Sequence, residues 1–420
     1  LLNKIELKSH INPNDGRVDF SQVSQAKQSA IKQAYLKFIA IKELPLRKDF
    51  ETFIVEEQSW LDNFALYTAI KAHHQHAEWY RWPQQFKFRD KKTLEKFQKE
   101  NEKELLEIKW QQFIFYRQWE SLKSYANQKH IKIIGDLPFY LDYDSVEVWS
   151  QPQYFKLNDD LSLDKVAGVP PDYFNEEGQL WGMPVFNWAT LKADGFKWWI
   201  ERLKWNLRCF DVVRLDHFLA FSVYWQVDAG SINATSGAWQ KGPGATFFEK
   251  LQQELGKLPF IAEDLGERSS DSDALKLKFK LPGMSVLQFG FGEDLNGSVH
   301  IPFNIDSNSV VYSGTHDNNT VLGWFLEDAS PTEKKRLKKF TGRKINWENV
   351  NDIILRMAYA SSAKLVVLPV QDLLELDGHA RMNVPGTSHG NWTWRLTEGQ
   401  LNKKVKRKLE LGVRLYGRLY

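Results

Sequence analysis

From about residue 131 onward the chain repeats one texture: short β-rich runs that open apolar and close on an acid or an amide, with helical or loop stretches between them. Six runs fit, "IKIIGDLPFYL" from 131, "FDVVRLDHF" from 210, "LPFIAEDLG" from 258, "MSVLQFGFG" from 284, "SVVYSGTHD" from 309 and "KLVVLPVQDLLEL" from 364. Helical patterns fall between several of them, for example "LKADGFKWWIERLKWNLRC" before the second and "NVNDIILRMAYASSAK" before the sixth. Such alternation signals parallel βα units. The closing residues are Asp136, Asp216, Glu263, Gln288, Asp317 and Asp372, so functional groups collect at strand C-termini, where a βα barrel carries its active site. An open doubly wound sheet uses the same edge but normally brings a glycine-rich phosphate turn. "GFGED" at 290 lacks the third glycine and reads as a turn, and no GxSxG, HExxH or Walker loop occurs.

The first 130 residues read as helices. "SQVSQAKQSAIKQAYLKFIAIKE" places Val23, Ala26, Ala30, Ala34 and Phe38 at spacings of three and four, and "KKTLEKFQKENEKELLEIKWQQFIFYRQWESLKSYANQ" continues the pattern for many turns. His73 and His76 in "AHHQHAEW" would share a helix face, but nothing nearby completes a ligand set, so no metal is expected. With 56 basic and 53 acidic residues the net charge is +3, which points to neither nucleic acid nor a membrane surface as partner. No run of roughly eighteen apolar residues occurs, so no membrane span is expected. The single cysteine, Cys209, excludes an internal disulfide framework and suits a reducing, cytoplasmic setting. Aromatics make up 14% of the chain; most are expected in the core, with a remainder available to stack on ring-shaped ligands.

Alternation along a strand sets Arg214 and Asp216 on one face. A guanidinium there keeps the Asp216 carboxylate charged and oriented, as a nucleophile requires. Glu263 follows Phe260, Ile261 and Ala262, an apolar setting that favours its protonated form and suits a general acid. Two carboxyls with opposed environments are the equipment of retaining glycosidic chemistry. "GTHDNNT" adds Asp317, with His316 beside it to hydrogen-bond sugar hydroxyls. "AGVPPDYFNEEGQLWGMPVFNW" is long and rich in Pro, Gly and aromatics, which marks a functional cover, with Tyr173, Phe174 and Trp181 placed over the sugar site.

These motifs, together with "VAGVPPDYF", "GQLWGMPVFNW", "LPGMSVLQFGFG", "SGTHDNNT" and "RMNVPGTSHGNWTWR", resemble the amylomaltase, or disproportionating enzyme, branch of the α-amylase clan. They run in family order from about residue 20 to the C-terminus. The chain departs from that pattern at Met183 and Phe186, where the family carries Asn and Tyr. The resemblance implies a (β/α)8 TIM barrel with a helical insertion and lid loops, and 4-α-glucanotransferase activity. It implies that Asp216 is the nucleophile, Glu263 the acid/base and Asp317 the stabiliser of the transition state. Arg214, His217 and His316 support them, and Asp136 is the acid of the first motif; the aromatic stretch itself offers Trp181 and Tyr173 as substrate-binding residues. An α-1,4-glucan donor and a glucose or maltooligosaccharide acceptor are the partners implied, with no cofactor. The alternatives are an α-glucan hydrolase using the same acids and a silent glucan-binding protein. Residues 1–130 are expected to form a mainly helical insertion and barrel-helix region, and 131–420 a catalytic barrel with a lid loop at about 145–188. Six strand-like runs against the eight of a closed barrel predict that the first two βα units are absent. The strands ending near Asp136 and Val370 should then border an open seam.

Overall fold

The computed structural model describes residues 16–41, 45–171, 176–267 and 269–419. All six runs form strands. Numbering every strand in chain order, these are β1 (Ile134–Leu137), β4 (Val212–Leu215), β7 (Phe260–Ala262), β8 (Gly283–Val286), β9 (Ser309–Tyr312) and β10 (Leu365–Val367). They pair in parallel as two three-stranded sheets, β1-β4-β7 and β10-β9-β8. Among the described residues neither three-stranded sheet is closed on itself. The chain divides into two compact units, one centred on residues 31–281 and the other on residues 2–30 with 282–420.

In the first unit β4 alternates as its sequence demands: Val213 and Leu215 are buried, while Val212 and Arg214 lie on the more open face. Helix Lys197–Cys209 packs against β1 and β4 with Trp199, Ile200 and Leu203 inward. Around it Phe186, Phe218, Phe221, Phe247 and Phe248 fill one core, and Trp79, Trp110, Trp149 and Trp199 are all fully buried. The aromatic excess therefore serves mainly packing. Gly135 in β1 is fixed by close approach, since a Cβ there would lie 2.2 Å from the Phe210 ring.

The helical first third is present as helices Phe20–Ala40, Pro45–Glu56, Gln58–His73, Lys91–Glu100 and Glu102–Gln128. The long pattern from Lys91 is interrupted at Asn101, where the chain leaves helical geometry before Glu102 and Glu104 open the next helix and complement its N-terminal dipole. His73 ends its helix and His76 lies beyond it in a left-handed turn, so the two share no helix face.

The stretch expected as a lid loop has its own structure, with helix Val146–Ser150 followed by β2 (Lys165–Val169) and β3 (Gln179–Pro184). These join β5 (Val223–Asp228) and β6 (Ala238–Lys241) in an antiparallel sheet of order β3-β2-β5-β6. In the second unit every residue of β8 and β9 is buried, as in parallel strands covered on both faces. Helices Pro331–Thr341 and Val350–Ala360 supply Leu337, Val350, Ile354 and Ala358 to that core. Among the described residues no helix is long and apolar enough to cross a membrane.

Candidate active site

In the first unit the parallel register sets Asp136 on β1 directly opposite Arg214 on β4. Arg214 Nη1 donates to Asp136 Oδ1 (2.8 Å) and Oδ2 (2.9 Å), and to Asp216 Oδ1 (2.8 Å). The guanidinium is only 11% exposed while both carboxylates are 42% exposed, so the cation is sunk beneath two acids that face solvent. Burial alone would lower the Arg214 pKa; Asp136 and Asp216 outweigh it and raise it, so the group stays charged.

Glu263 follows β7, next to Asp216, because Leu215 and Ala262 are register partners on neighbouring strands. Its Oε2 accepts from the His217 N–H (2.8 Å) and its Oε1 from the Leu265 N–H (2.9 Å). Burial pushes its pKa from 4.5 up to about 7; Arg214 opposes the rise, Asp216 adds to it, and the two backbone donors oppose it more weakly. The two carboxyls thus have opposed environments: one half-exposed on a cation, one buried and near neutrality.

His217 makes this possible by adopting a left-handed conformation with φ 49°, at a cost on the order of 1 kcal/mol. That turn aims its N–H at Glu263 and lays its ring 4.9 Å from Trp181, 6.1 Å from Tyr140 and 6.3 Å from Phe139. Burial lowers its pKa to about 4, so the imidazole is neutral and offers one donor and one acceptor. Trp181 stands on β3, its Nε1 donating to Gln179 Oε1 at 3.2 Å. Tyr173, with Phe174 beside it, lies outside the described residues.

In the second unit Asp317 sits in the loop that follows β9, 42% exposed. Its Oδ1 accepts from Asn383 Nδ2 (2.6 Å) and its carbonyl from Arg381 Nη2 (2.7 Å). His316 Nε2 lies 3.4 Å from Asp317 Oδ2, and its ring is 5.3 Å from that of Trp392. In the sequence Asn383 and Arg381 are marked only by their place in "RMNVPG".

Two of the six strand-end polar groups are structural. Asp372 is wholly buried, accepting from Ser313 Oγ (2.6 Å) and from the Val321 N–H (2.7 Å). Gln288 is buried and donates to the Asn319 carbonyl at 2.9 Å. His73 pairs with Glu104 at 2.9 Å, and among the described residues no group of His, Cys, Asp or Glu is arranged to hold a metal ion.

Known proteins share this arrangement of chain. A family profile described as 4-alpha-glucanotransferase matches residues 2–402. The 4-alpha-glucanotransferase of Synechocystis sp. is 42% identical over 405 residues, which is 96% of this chain and 80% of that protein. That of Aquifex aeolicus is 41% identical over 403 residues, 96% of this chain and 81% of its own. Among solved structures, an amylomaltase from Streptococcus agalactiae in complex with acarbose superposes with a TM-score of 0.92 at 34% identity, covering 98% of this chain and 84% of that one.

Proposed function

The chain belongs to the 4-alpha-glucanotransferase family and is an enzyme of glucan transfer, and we propose that it works by a retaining double displacement with Asp216 as nucleophile and Glu263 as general acid and base. The observation that carries this reading is the opposed setting of the two carboxyls at neighbouring strand ends. Neighbouring strands lie about 4.8 Å apart, close to the roughly 5 Å carboxyl separation that retaining chemistry uses. Asp216 Oδ attacks the anomeric carbon of an α-1,4-linked donor; the glycosidic bond breaks, its electron pair leaves with the oxygen, and Glu263 delivers the proton to that oxygen. Glu263, now a carboxylate, takes the proton of an acceptor 4-hydroxyl as that oxygen displaces the Asp216 ester, so net configuration is kept.

Asp317 is assigned the stabilisation of charge in the transition state, supported by the hydrogen bond from Asn383 that fixes its carboxylate. Arg214 and Asp136 hold the nucleophile. His217 and His316 offer hydrogen bonds to sugar hydroxyls, and Trp181 and Tyr173 bound the sugar. The donor is a maltooligosaccharide or a starch or glycogen chain, and the acceptor is glucose or another glucan; the acarbose complex of the related amylomaltase supports an α-glucan site. We read the six parallel strands as wall strands of a (β/α)8 barrel, residues 1–130 as its helical insertion and barrel-helix region, 145–188 as the cover, and the cytoplasm as the location.

The test uses an α-glycosyl fluoride, whose leaving group needs no acid. In Glu263→Gln the first step should proceed and the second stall, so intact and peptide mass spectrometry should find a glycosyl ester on Asp216. An ester on another residue, or none, sinks the assignment.

A further inference from the structure

Helix Lys197–Cys209 carries a charge that packing does not explain. Arg202 Nη2 donates to the carbonyl of Pro138 (2.7 Å) and Nη1 to that of Phe139 (3.2 Å), just past the end of β1. Its guanidinium lies over Trp199, 4.8 Å from the ring centroid, and over Trp198 at 5.4 Å. It forms no ion pair among the described residues, and burial lowers its pKa only to about 10, so it is charged at neutral pH. The side chain is only partly buried, yet two carbonyls and two ring faces fix its cation in place.

The two carbonyls belong to the segment on which the catalytic face of the first unit rests. Asp136 shares Arg214 with Asp216, and the Leu137 carbonyl accepts from the Asp216 N–H at 3.1 Å. The Phe139 and Tyr140 rings brace the His217 ring, whose residue donates its N–H to Glu263. Residues 136–140 therefore touch the nucleophile, its arginine and the residue that orients the acid. We propose that Arg202 is a positioning residue for the transfer reaction: it fixes the backbone at Pro138 and Phe139 and, through residues 136–140, holds Asp216, His217 and Glu263 in their working geometry. This rests on the roles given above to Asp216 and Glu263.

The experiment compares Arg202→Met and Arg202→Lys with the parent enzyme in maltotriose disproportionation, normalised to folded protein. Arg202→Met should lower kcat about 10- to 100-fold, with KM moving less than about threefold. Arg202→Lys should recover part of the loss, because an ammonium can reach one carbonyl but cannot fork to both. Millimolar guanidinium should restore part of the Arg202→Met kcat, whereas sodium chloride of equal ionic strength should not. A folded Arg202→Met whose kcat stays within about twofold of the parent overturns the proposal, and so does a loss that neither lysine nor guanidinium relieves. If Arg202→Met does not fold, the lysine variant decides: native melting temperature with reduced kcat supports positioning, and unchanged kcat refutes it. The Asp216 ester in Glu263→Gln separates the two failures. Its absence removes the underlying mechanism, while its presence beside an inert Arg202 removes only the positioning role.

Discussion

At the end of β4, Asp216 is 42% exposed and shares a guanidinium with Asp136, whereas past the end of β10, Asp372 is wholly buried and meets only a hydroxyl and a backbone N–H. Both acids close an apolar run, yet their partners give them opposite uses. A buried cation beneath half-exposed carboxylates holds them at a surface where a substrate can meet them. Neutral donors around a fully buried carboxyl leave burial in control, and the Asp372 pKa rises from 3.8 to about 6. Glu263 lies between these extremes: it too is raised by burial, but Arg214 tempers the rise and Asp216 stands on the next strand.

The largest effect that sharpens this comparison is expected at Asp216. Asp216→Asn should lower kcat by about 10⁴-fold, because an amide cannot form the glycosyl ester. Its melting temperature should stay near that of the parent, since the side chain is half in solvent. Maltotriose disproportionation and a thermal melt measure both; near-normal turnover would end the assignment. Asp372→Ala should show the reverse. Losing that carboxyl orphans Ser313 Oγ and the Val321 N–H inside the second core, at about 2–4 kcal/mol of stability, while kcat per folded molecule changes little. An Asp372→Ala protein that melts normally but cannot transfer would erase the distinction between the two regions.

Glu263 supplies the pH test. Its pKa is raised in the folded state, so the fold binds a proton there that the unfolded chain has released between about pH 4.5 and about 7. Its contribution to stability therefore falls as pH rises through that window. Glu263→Gln, which has no charge to bury, should be more stable than the parent at pH 8 by at most about 3 kcal/mol, and the gain should vanish below pH 4.5. For the parent, kcat/KM should fall as pH rises through about 7, because the proton for the leaving oxygen is lost. An alkaline limb unchanged by environment around Glu263, or one absent up to pH 9, would contradict its role as the acid.

What the sequence disclosed follows from how local each determinant is. All six parallel strands were legible, because apolar runs bounded by turns and helical patterns are written within a few residues. So was the face shared by Arg214 and Asp216, which a strand's two-residue period fixes. The division of those strands into two sheets was not, since pairing partners come from distant segments. Strands β5 and β6 were also passed over; "VYWQVD" and "AWQK" are short and lie directly behind the "DHF" motif, although Gly and Asn between them mark a hairpin. Asp372 looks like the other strand-end polar groups in the sequence because its burying partners, Ser313 and Val321, stand 59 and 51 residues away. The support of Asp317 by Asn383 spans 66 residues and left no periodic trace.

The smallest expected effect concerns Trp181, and it asks whether the antiparallel sheet takes part in the chemistry of the parallel one. Its ring lies 4.9 Å from the His217 imidazole and 6.0 Å from Tyr140, on β3 at the edge of its sheet. Transfer outcompetes hydrolysis only while an acceptor hydroxyl is better placed than water at the glycosyl ester. Removing an indole beside His217 admits water without touching either carboxyl, so Trp181→Ala should lower kcat only a few-fold. The share of glucose released to water, relative to longer oligomers formed from maltotriose, should rise by about two- to fivefold. Because β3 is an edge strand and the ring is only partly buried, the cost in stability should be about 1 kcal/mol. An unchanged ratio of hydrolysis to transfer would make Trp181 a scaffold for His217 and leave the exclusion of water to other residues.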